Sequence, residues 1–584
     1  MHIKPKSGNE TSWSFLSKLL LPALLLTVSY SGSIHAANAS AESIQFHSFE
    51  YQGEDSLTQL VTVNASQYRN PVLAGFYPDP SVTRVGEDYY LVNSSFSWYP
   101  GVPIFHSRDL VNWKQIGHVL DRPEQLPLDG GRVSRGIFAP SIRFHDGIYY
   151  MITTNTTTLG NFYVTAKKPA GPWSNPVALP EIQGIDPSFF FDDDGKAYIV
   201  HNGVAPDEKP LYEGHRAIYL FPFDVKSGKV SGTGKVIVNG GTDITRHPIW
   251  IEGPHIFKRN NYYYLIAAEG GTSEQHSEVV FRSRSAEGPY ESYAGNPILT
   301  QRTLSSSRPD PITSTGHADF VETQNGEWWA VFLGCEPYAD DQYNTGRQTF
   351  MLPVRWENDW PLVLDDGRAI PRAINRPKLK AQPNGARPVS GPFKWSADFS
   401  RAKLPYELNM LRTPSGKWWR IDTNRKTLLL MPRNEDLNSQ HDPSLIARRQ
   451  QHAKFTSSVK VNLVNSKESY DAGMVVFQND THNFFAGVHQ TKDGTRKVFL
   501  ERRNADVATP ASVDVPATSK EIAFRVSATN AQYQFFYRLD DAAWAQLGGE
   551  QDGSILSTKK AGGFVGTYIG VFARTANDDS PQSH

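Results

Sequence analysis

A unit of short strands recurs five times between residues 70 and 366, and few folds can accept a chain built that way. Tyr77-Pro78-Asp79-Pro80-Ser81, Ile185-Asp186-Pro187-Ser188 and Ile251-Glu252-Gly253-Pro254-His255 are variants of one stretch; Ala139-Pro140-Ser141 and His317-Ala318-Asp319 complete the set. After each comes a short apolar strand, a polar turn such as His145-Asp146-Gly147 or Gln324-Asn325-Gly326, and then an aromatic, β-branched strand such as Tyr149-Tyr150-Met151-Ile152 or Trp328-Trp329-Ala330-Val331. A third strand follows in every copy, and an aromatic-bearing fourth in most (Trp173, Tyr290, Trp360). Strand-only units repeating every ~45 to 70 residues are propeller blades, which close radially and so leave few exposed edges.

Beyond the Pro- and Gly-containing stretch at 381–390 the texture changes to closely spaced strands, among them Ala472-Gly473-Met474-Val475-Val476-Phe477 and Tyr568-Ile569-Gly570-Val571-Phe572-Ala573, with no helix of three turns. That pattern predicts a β-sandwich. The expected chain is therefore all-β, a five-bladed β-propeller over residues 70–380, a linker at 381–390 and a C-terminal β-sandwich over 391–584. Ahead of the propeller, Lys4, Lys6 and Lys18 precede the apolar run Leu19 to Val28 and an Ala37-Asn38-Ala39 cleavage motif. Residues 1–39 thus read as a signal peptide, too short in its apolar part to span a membrane, and 40–69 as a linker. The expected location is periplasmic or extracellular after removal of that peptide.

Charge removes some partners. Lys and Arg total 59 against 60 Asp and Glu, so there is no basic excess to neutralise the phosphates of nucleic acid or an anionic membrane. Aromatic residues make up 12 % of the chain, including 13 Trp, enough to line sugar sites as well as a β-rich core. The single Cys335 rules out an internal disulfide and reads as a buried thiol, and no zinc-binding spacing is present. Other features take a structural reading: Asp192-Asp193-Asp194-Gly195 as a hairpin turn, Trp418-Trp419 as core, and the Asn93 and Asn155 sequons as positions inside strands or at their ends.

In a propeller the first strand of each blade runs beside the central axis, so equivalent strand ends gather at one mouth. Asp79, Asp186, Glu252 and His317 lie at or within one position of that place. Two carboxylates held across a pocket are the minimum apparatus for glycoside hydrolysis, one protonating the leaving oxygen while the other activates water or attacks carbon. Crowding raises the pKa of one member and keeps it protonated near neutrality.

The ordered set Phe76-Tyr77-Pro78-Asp79-Pro80-Ser81, Ala139-Pro140-Ser141, Gly184-Ile185-Asp186-Pro187-Ser188, Ile251-Glu252-Gly253-Pro254-His255, Gly316-His317-Ala318-Asp319 and Gly346-Arg347-Gln348-Thr349 resembles glycoside hydrolase family 43 in its two-domain β-xylosidase branch. The resemblance implies Asp79 as general base, Glu252 as general acid and Asp186 as the residue that tunes and orients the acid. It also implies Arg347 on the hydroxyls of the innermost sugar, Phe96 as an aromatic wall, Thr272 as a subsite contact and His317 as the axial histidine. A sandwich loop brings an aromatic to the pocket in that branch, and Phe564 in Gly562-Gly563-Phe564 is the matching candidate. Phe138 departs from the pattern, which often has Trp before Ala-Pro, and this affects how a leaving-group sugar stacks. No cofactor is required on this reading; a cation near His317 would be structural. The implied activity is an inverting exo-β-xylosidase acting on xylooligosaccharides or arabinoxylan fragments. An α-L-arabinofuranosidase and a non-catalytic sugar-binding propeller are the rivals.

Overall fold

Apolar strands joined by tight polar turns fold back on their neighbours, and each of the five repeats forms its own antiparallel sheet. The computed structural model of the chain describes residues 43–54, 63–383, 387–464 and 466–578, so the predicted signal peptide lies outside the described residues. Blade one consists of Ser81–Val85, Asp88–Val92, Gly101–Ser107 and Lys114–Leu120; blade two of Ser141–His145, Ile148–Asn155, Gly160–Ala166 and Val177–Ala178. Blade three orders Ile185–Phe191, Ala197–Val204 and Arg216–Asp224, with Lys229–Val230 and Lys235–Asn239 both on the third strand. Blade four repeats that plan with Glu252–Arg259, Tyr262–Glu269, Ser277–Ser283, Glu291–Ser292 and Leu299–Thr300. Thr313–Glu322, Trp328–Cys335, Gln348–Glu357 and Trp360–Leu362 make blade five.

The inner strands pack one against the next, and that of blade five packs against that of blade one, which closes the ring. Polar groups near the axis hold the closure. Asp319 of blade five accepts from Ser81 Oγ of blade one at 2.7 Å and from both terminal nitrogens of Arg143 of blade two at 2.8 and 3.0 Å; Arg143 also meets His255 Nδ1 of blade four at 3.0 Å. A bidentate guanidinium–carboxylate pair satisfies several lone pairs at once, as burial requires. The chain entering the propeller adds a second clasp: Leu73 bridges to Thr349, and the Asn70 side chain exchanges two hydrogen bonds with the Met351 backbone, at 2.8 and 2.9 Å.

Two eight-stranded sheets form the sandwich. In the outer one, strand Lys454–Asn462 alternates buried and half-buried residues, as a sheet with one solvated face should. In the other, Tyr470–Asn479 is buried at nearly every position because its second face lies against the propeller, which explains the unbroken apolar run in the sequence. That joint contains Phe76, Phe96, Trp98 and Val133 from the propeller side with Val475, Phe477 and Tyr568 from the sandwich. The pairing continues through the backbone: Trp98–Tyr99, an excursion of blade one, forms the edge strand beside Asn409–Leu411, and Trp98 stacks on Tyr568 with centroids 3.6 Å apart.

One expectation is corrected. The stretch 40–69 is not a simple linker, because Ile44–Glu54 is a strand inserted between Thr427–Leu430 and Lys454–Asn462 in the outer sandwich sheet. Ile44, Phe46, Phe49 and Tyr51 fill the sandwich core, with a bulge between His47 and Glu50 keeping their alternation in phase. The hairpin and sequon readings agree with the structure, Asn155 ending a strand and Asn93 directly following one, but of the Trp pair only Trp418 is in the core, Trp419 being half-buried against it. Asp192 caps a hairpin and accepts from Lys258 Nζ at 2.9 Å and Tyr263 OH at 2.7 Å; Trp418 is buried and donates to Asp442 at 3.0 Å; Cys335 is buried, which pushes its thiol up to about 12. Among the described residues no helix is long and apolar enough to cross a membrane.

Candidate active site

A regular strand sends alternate side chains to opposite faces, so aiming three acids into one mouth requires a break at the start of each inner strand. The break is a bulge. Register shifts occur between Ile185 and Ser188, Glu252 and His255, and Gly316 and Asp319. At these points Asp186, Gly253 and His317 have φ of 55°, 58° and 54°, and Asp79 has 50° in blade one. Only blade four uses glycine there, because a Cβ on Gly253 would stand 2.7 Å from His317 Nε2. The acid of that blade is consequently carried one residue earlier, at Glu252, whereas Asp186 occupies its bulge and Asp79 takes the same positive φ just ahead of a strand whose ladder is regular.

All three acids are buried, at 5–8 % exposure, and their surroundings differ in charge. Asp79 Oδ1 accepts from Arg347 at 2.7 Å and Oδ2 from Ser94 Oγ at 2.5 Å. Burial alone would raise its pKa, but the Arg347 guanidinium and the Ser94 hydroxyl outweigh it and hold Asp79 below the usual range. Glu252 lacks such a partner; Thr272 Oγ1 stands at 3.5 Å. Burial, then the charge of Asp79, raises Glu252 to about 7. Asp186, with only the Gly253 amide donating at 3.2 Å, is also raised, by burial and by repulsion from Glu252 and Asp79. Asp186 and Glu252 therefore titrate as a pair that retains a proton near neutral pH beside an ionised Asp79. His317, 3.8 Å from Asp79, is lowered by burial, and burial takes His276 down to about 4, so neither imidazole is charged at pH 7.

The remaining predicted residues come together as two walls. Phe96 packs on Phe138 at 5.2 Å, and Phe564 from the sandwich lies 6.4 Å from each of them. Phe564 is 43 % exposed, its carbonyl facing Arg347 at 3.4 Å. Arg347 Cζ is 5.7 Å from the Phe96 ring, so one guanidinium touches blade one, the sandwich loop and Asp79. Several supporting residues were not expected from sequence. Ser94 fixes Asp79; Asn93 donates to the carbonyls of Tyr77 and Pro78 and to Thr349, each at 3.0 Å, tying the Asp79 turn to the strand after Arg347; Ser134 Oγ accepts from the Phe564 amide at 3.0 Å. Serine and asparagine in a turn carry no signal until their partners from distant blades are known.

The fit of a cation beside His317 can be judged from its neighbours. Asp79, Asp186, His255 and His317 border a cavity of ≈10 Å³, room for about one water. Among the described residues no three His, Cys, Asp or Glu side chains converge as metal ligands. The donors do not fit a directly coordinated ion, since His317 is a single ligand and Asp79 is committed to Arg347 and Ser94.

Comparison with known proteins matches this geometry. The family model of glycosyl hydrolases family 43 covers residues 68–361, and that of the beta xylosidase C-terminal concanavalin A-like domain covers residues 396–583. A xylosidase/arabinosidase of Butyrivibrio fibrisolvens is 38 % identical over 515 residues, spanning 86 % of this chain and 95 % of its own. A non-reducing end alpha-L-arabinofuranosidase of Bacteroides ovatus is 36 % identical, with 88 % and 92 % covered. Among solved structures, a family-43 protein retrieved from capybara gut metagenome superposes with a TM-score of 0.85 at 38 % identity, over 91 % of this chain and 100 % of that one. The xylan beta-1,4-xylosidase of Bacillus halodurans gives 0.79 at 31 %, over 87 % and 96 %. A five-bladed propeller with three buried acids at its mouth, joined to a β-sandwich, is thus accompanied by sequence similarity along nearly the whole described chain, and the protein belongs to glycosyl hydrolases family 43, as a glycoside hydrolase.

Proposed function

We propose that the enzyme is an exported, inverting exo-β-1,4-xylosidase that releases xylose from the ends of xylooligosaccharides. The observation that carries this reading is the split of ionisation between acids on non-adjacent blades, with Asp79 held low and Glu252 held near 7. Asp79 acts as general base: it takes a proton from a water that attacks the anomeric carbon as the glycosidic bond breaks. Glu252 gives its proton to the departing oxygen, and Asp186 beside it orients the acid and, whenever it carries a charge, opposes the ionisation of Glu252. Carboxyls about 6.5–9.5 Å apart admit a water between them, whereas a retaining nucleophile needs about 5–5.5 Å; placement across the axis supports the wider gap. The sandwich loop bearing Phe564 blocks one side of the mouth, which supports end-wise action on short chains. Any cation near His317 is structural in this scheme, with no step passing through it.

A second reading, α-L-arabinofuranosidase activity in the same pocket, is favoured by the names of the Butyrivibrio and Bacteroides relatives. Xylopyranose and arabinofuranose present similar hydroxyls to an arginine fork. The test is the first xylose released from an aryl β-xyloside, followed by proton NMR, beside turnover of a panel of aryl xylosides and arabinofuranosides. α-Xylose should appear before mutarotation. Initial β-xylose would overturn the mechanism and the role of Asp79, and turnover of arabinofuranosides alone would overturn the substrate.

A further inference from the structure

The roles assigned above leave unused a cation beside the acid. Inner strands start at the mouth and second strands end there, so two connections lie on that face: the one from Val204 to Arg216 in blade three, and the one from residue 240 to Ile251 that delivers Glu252. Trp250, with φ of 52°, stands two residues before Glu252, and Arg216 opens the third strand of blade three. The Arg216 guanidinium lies 4.0 Å from the Trp250 ring centroid. Among the described residues its side chain has no hydrogen bond and no ion pair, yet it is close enough to Glu252 to favour the ionised carboxylate.

This corner is built to stay in place. Trp250 N donates to Gly214 O at 3.0 Å, Gly270 N to Ile249 O at 2.8 Å, Thr242 N to Glu269 Oε2 at 2.9 Å, and Asn202 Nδ2 to Ile251 O at 2.5 Å. Gly214, at φ 83°, allows the two connections to close, since a Cβ there would meet Ile249 Cγ2 at 3.1 Å and the edge of Trp250 at 3.4 Å. Beside the pair, Val204, the strand partner of Arg216, is 45 % exposed and Ile249, next to Trp250, is 49 % exposed. Phe138, which stands where the family often has Trp, is packed against Phe96. A guanidinium with free N–H edges, held flat by an aromatic ring, suits a pair of neighbouring hydroxyls.

Resting on the exo-glycosidase reading, we propose that Arg216 and Trp250 form the subsite for the leaving-group sugar. Arg216 grips a vicinal hydroxyl pair of that sugar, and Trp250 fixes the guanidinium plane and supplies an apolar wall beside Glu252. The acid thus sits between the scissile oxygen and the clamp.

Steady-state kinetics of wild type, Arg216→Gln, Arg216→Lys and Trp250→Leu with two substrates test it. Xylobiose fills both subsites, whereas β-xylopyranosyl fluoride brings no leaving-group sugar. Arg216→Gln should lower kcat/KM on xylobiose by about ten-fold or more, the scale of a lost charged hydrogen bond, with far less loss on the fluoride. Its alkaline limb on xylobiose should move to higher pH, because a carboxyl that loses a neighbouring cation keeps its proton longer. Arg216→Lys should restore that limb but not the affinity, and Trp250→Leu should show the same selective loss for xylobiose. Equal losses on both substrates, or none on xylobiose, would overturn the clamp while leaving the enzyme's activity as read. A wild type that cleaves neither xyloside would overturn the xylosidase reading and the clamp with it.

Discussion

Arg347 and Glu252 govern opposite limbs of the pH dependence expected at the residue scale. With Glu252 near 7, the group that must be protonated begins to lose its proton around neutrality, and kcat/KM should fall on the alkaline side with a midpoint there. Asp79 must be ionised and is held low by Arg347, so the acidic limb lies well below. Arg347→Gln removes the cation and lets burial dominate; the acidic limb should shift upward and the bell narrow, which a pH–rate profile on an aryl xyloside would register. An unmoved acidic limb would count against Arg347 as the group that keeps Asp79 charged. Removing either acid should cost at least about a hundred-fold in kcat, but differently. Glu252→Ala should spare substrates with very acidic leaving groups, which depart without a proton, while Asp79→Ala should lose good and poor leaving groups alike. Equal loss across leaving groups in Glu252→Ala would remove it from the acid's role.

At the scale of elements, the pocket is closed by a loop that belongs to a different domain. Phe564 reaches Phe96 and Phe138 only because Ser134 anchors its amide and Gly563, at φ 77°, turns the chain there. Phe564→Ala should raise KM for xylobiose by roughly two- to ten-fold, the worth of an aromatic contact, with a smaller effect on kcat. Unchanged kinetics with lost adhesion to insoluble xylan would make the sandwich a separate binding module instead. This corner also marks how far sequence reading reaches. The repeat exposed the inner strands, hence the acids, because a five-fold internal copy is its own alignment. Ser94, Ser134 and the Arg216–Trp250 pair were not legible, since each depends on a partner from a distant part of the chain. Ile44–Glu54 carries a partial signal: Ile44, Phe46, Phe49 and Tyr51 alternate with polar residues, but the bulge between His47 and Glu50 breaks the period that would mark a strand.

For the whole molecule that strand matters most. Burying Ile44, Phe46, Phe49 and Tyr51 contributes roughly 1.5–3 kcal/mol each by the usual scale of apolar burial, a sum comparable with the ~5–15 kcal/mol of a domain's net stability. Deleting residues 1–54 should therefore leave little soluble enzyme, and what remains should melt far below the full chain; a melting temperature within a few degrees would refute that. The topology also has a consequence for biosynthesis. Gln45 pairs with Asn462, 417 positions along the chain, so the propeller is an insert within the sandwich. A ribosome makes the first strand early and its partner late. Throughout the interval an apolar, unpaired edge is available to other nascent chains, the situation in which strands cross-pair and aggregate. The enzyme should thus depend on a holding chaperone during synthesis to an extent that a propeller followed by an independent sandwich would not.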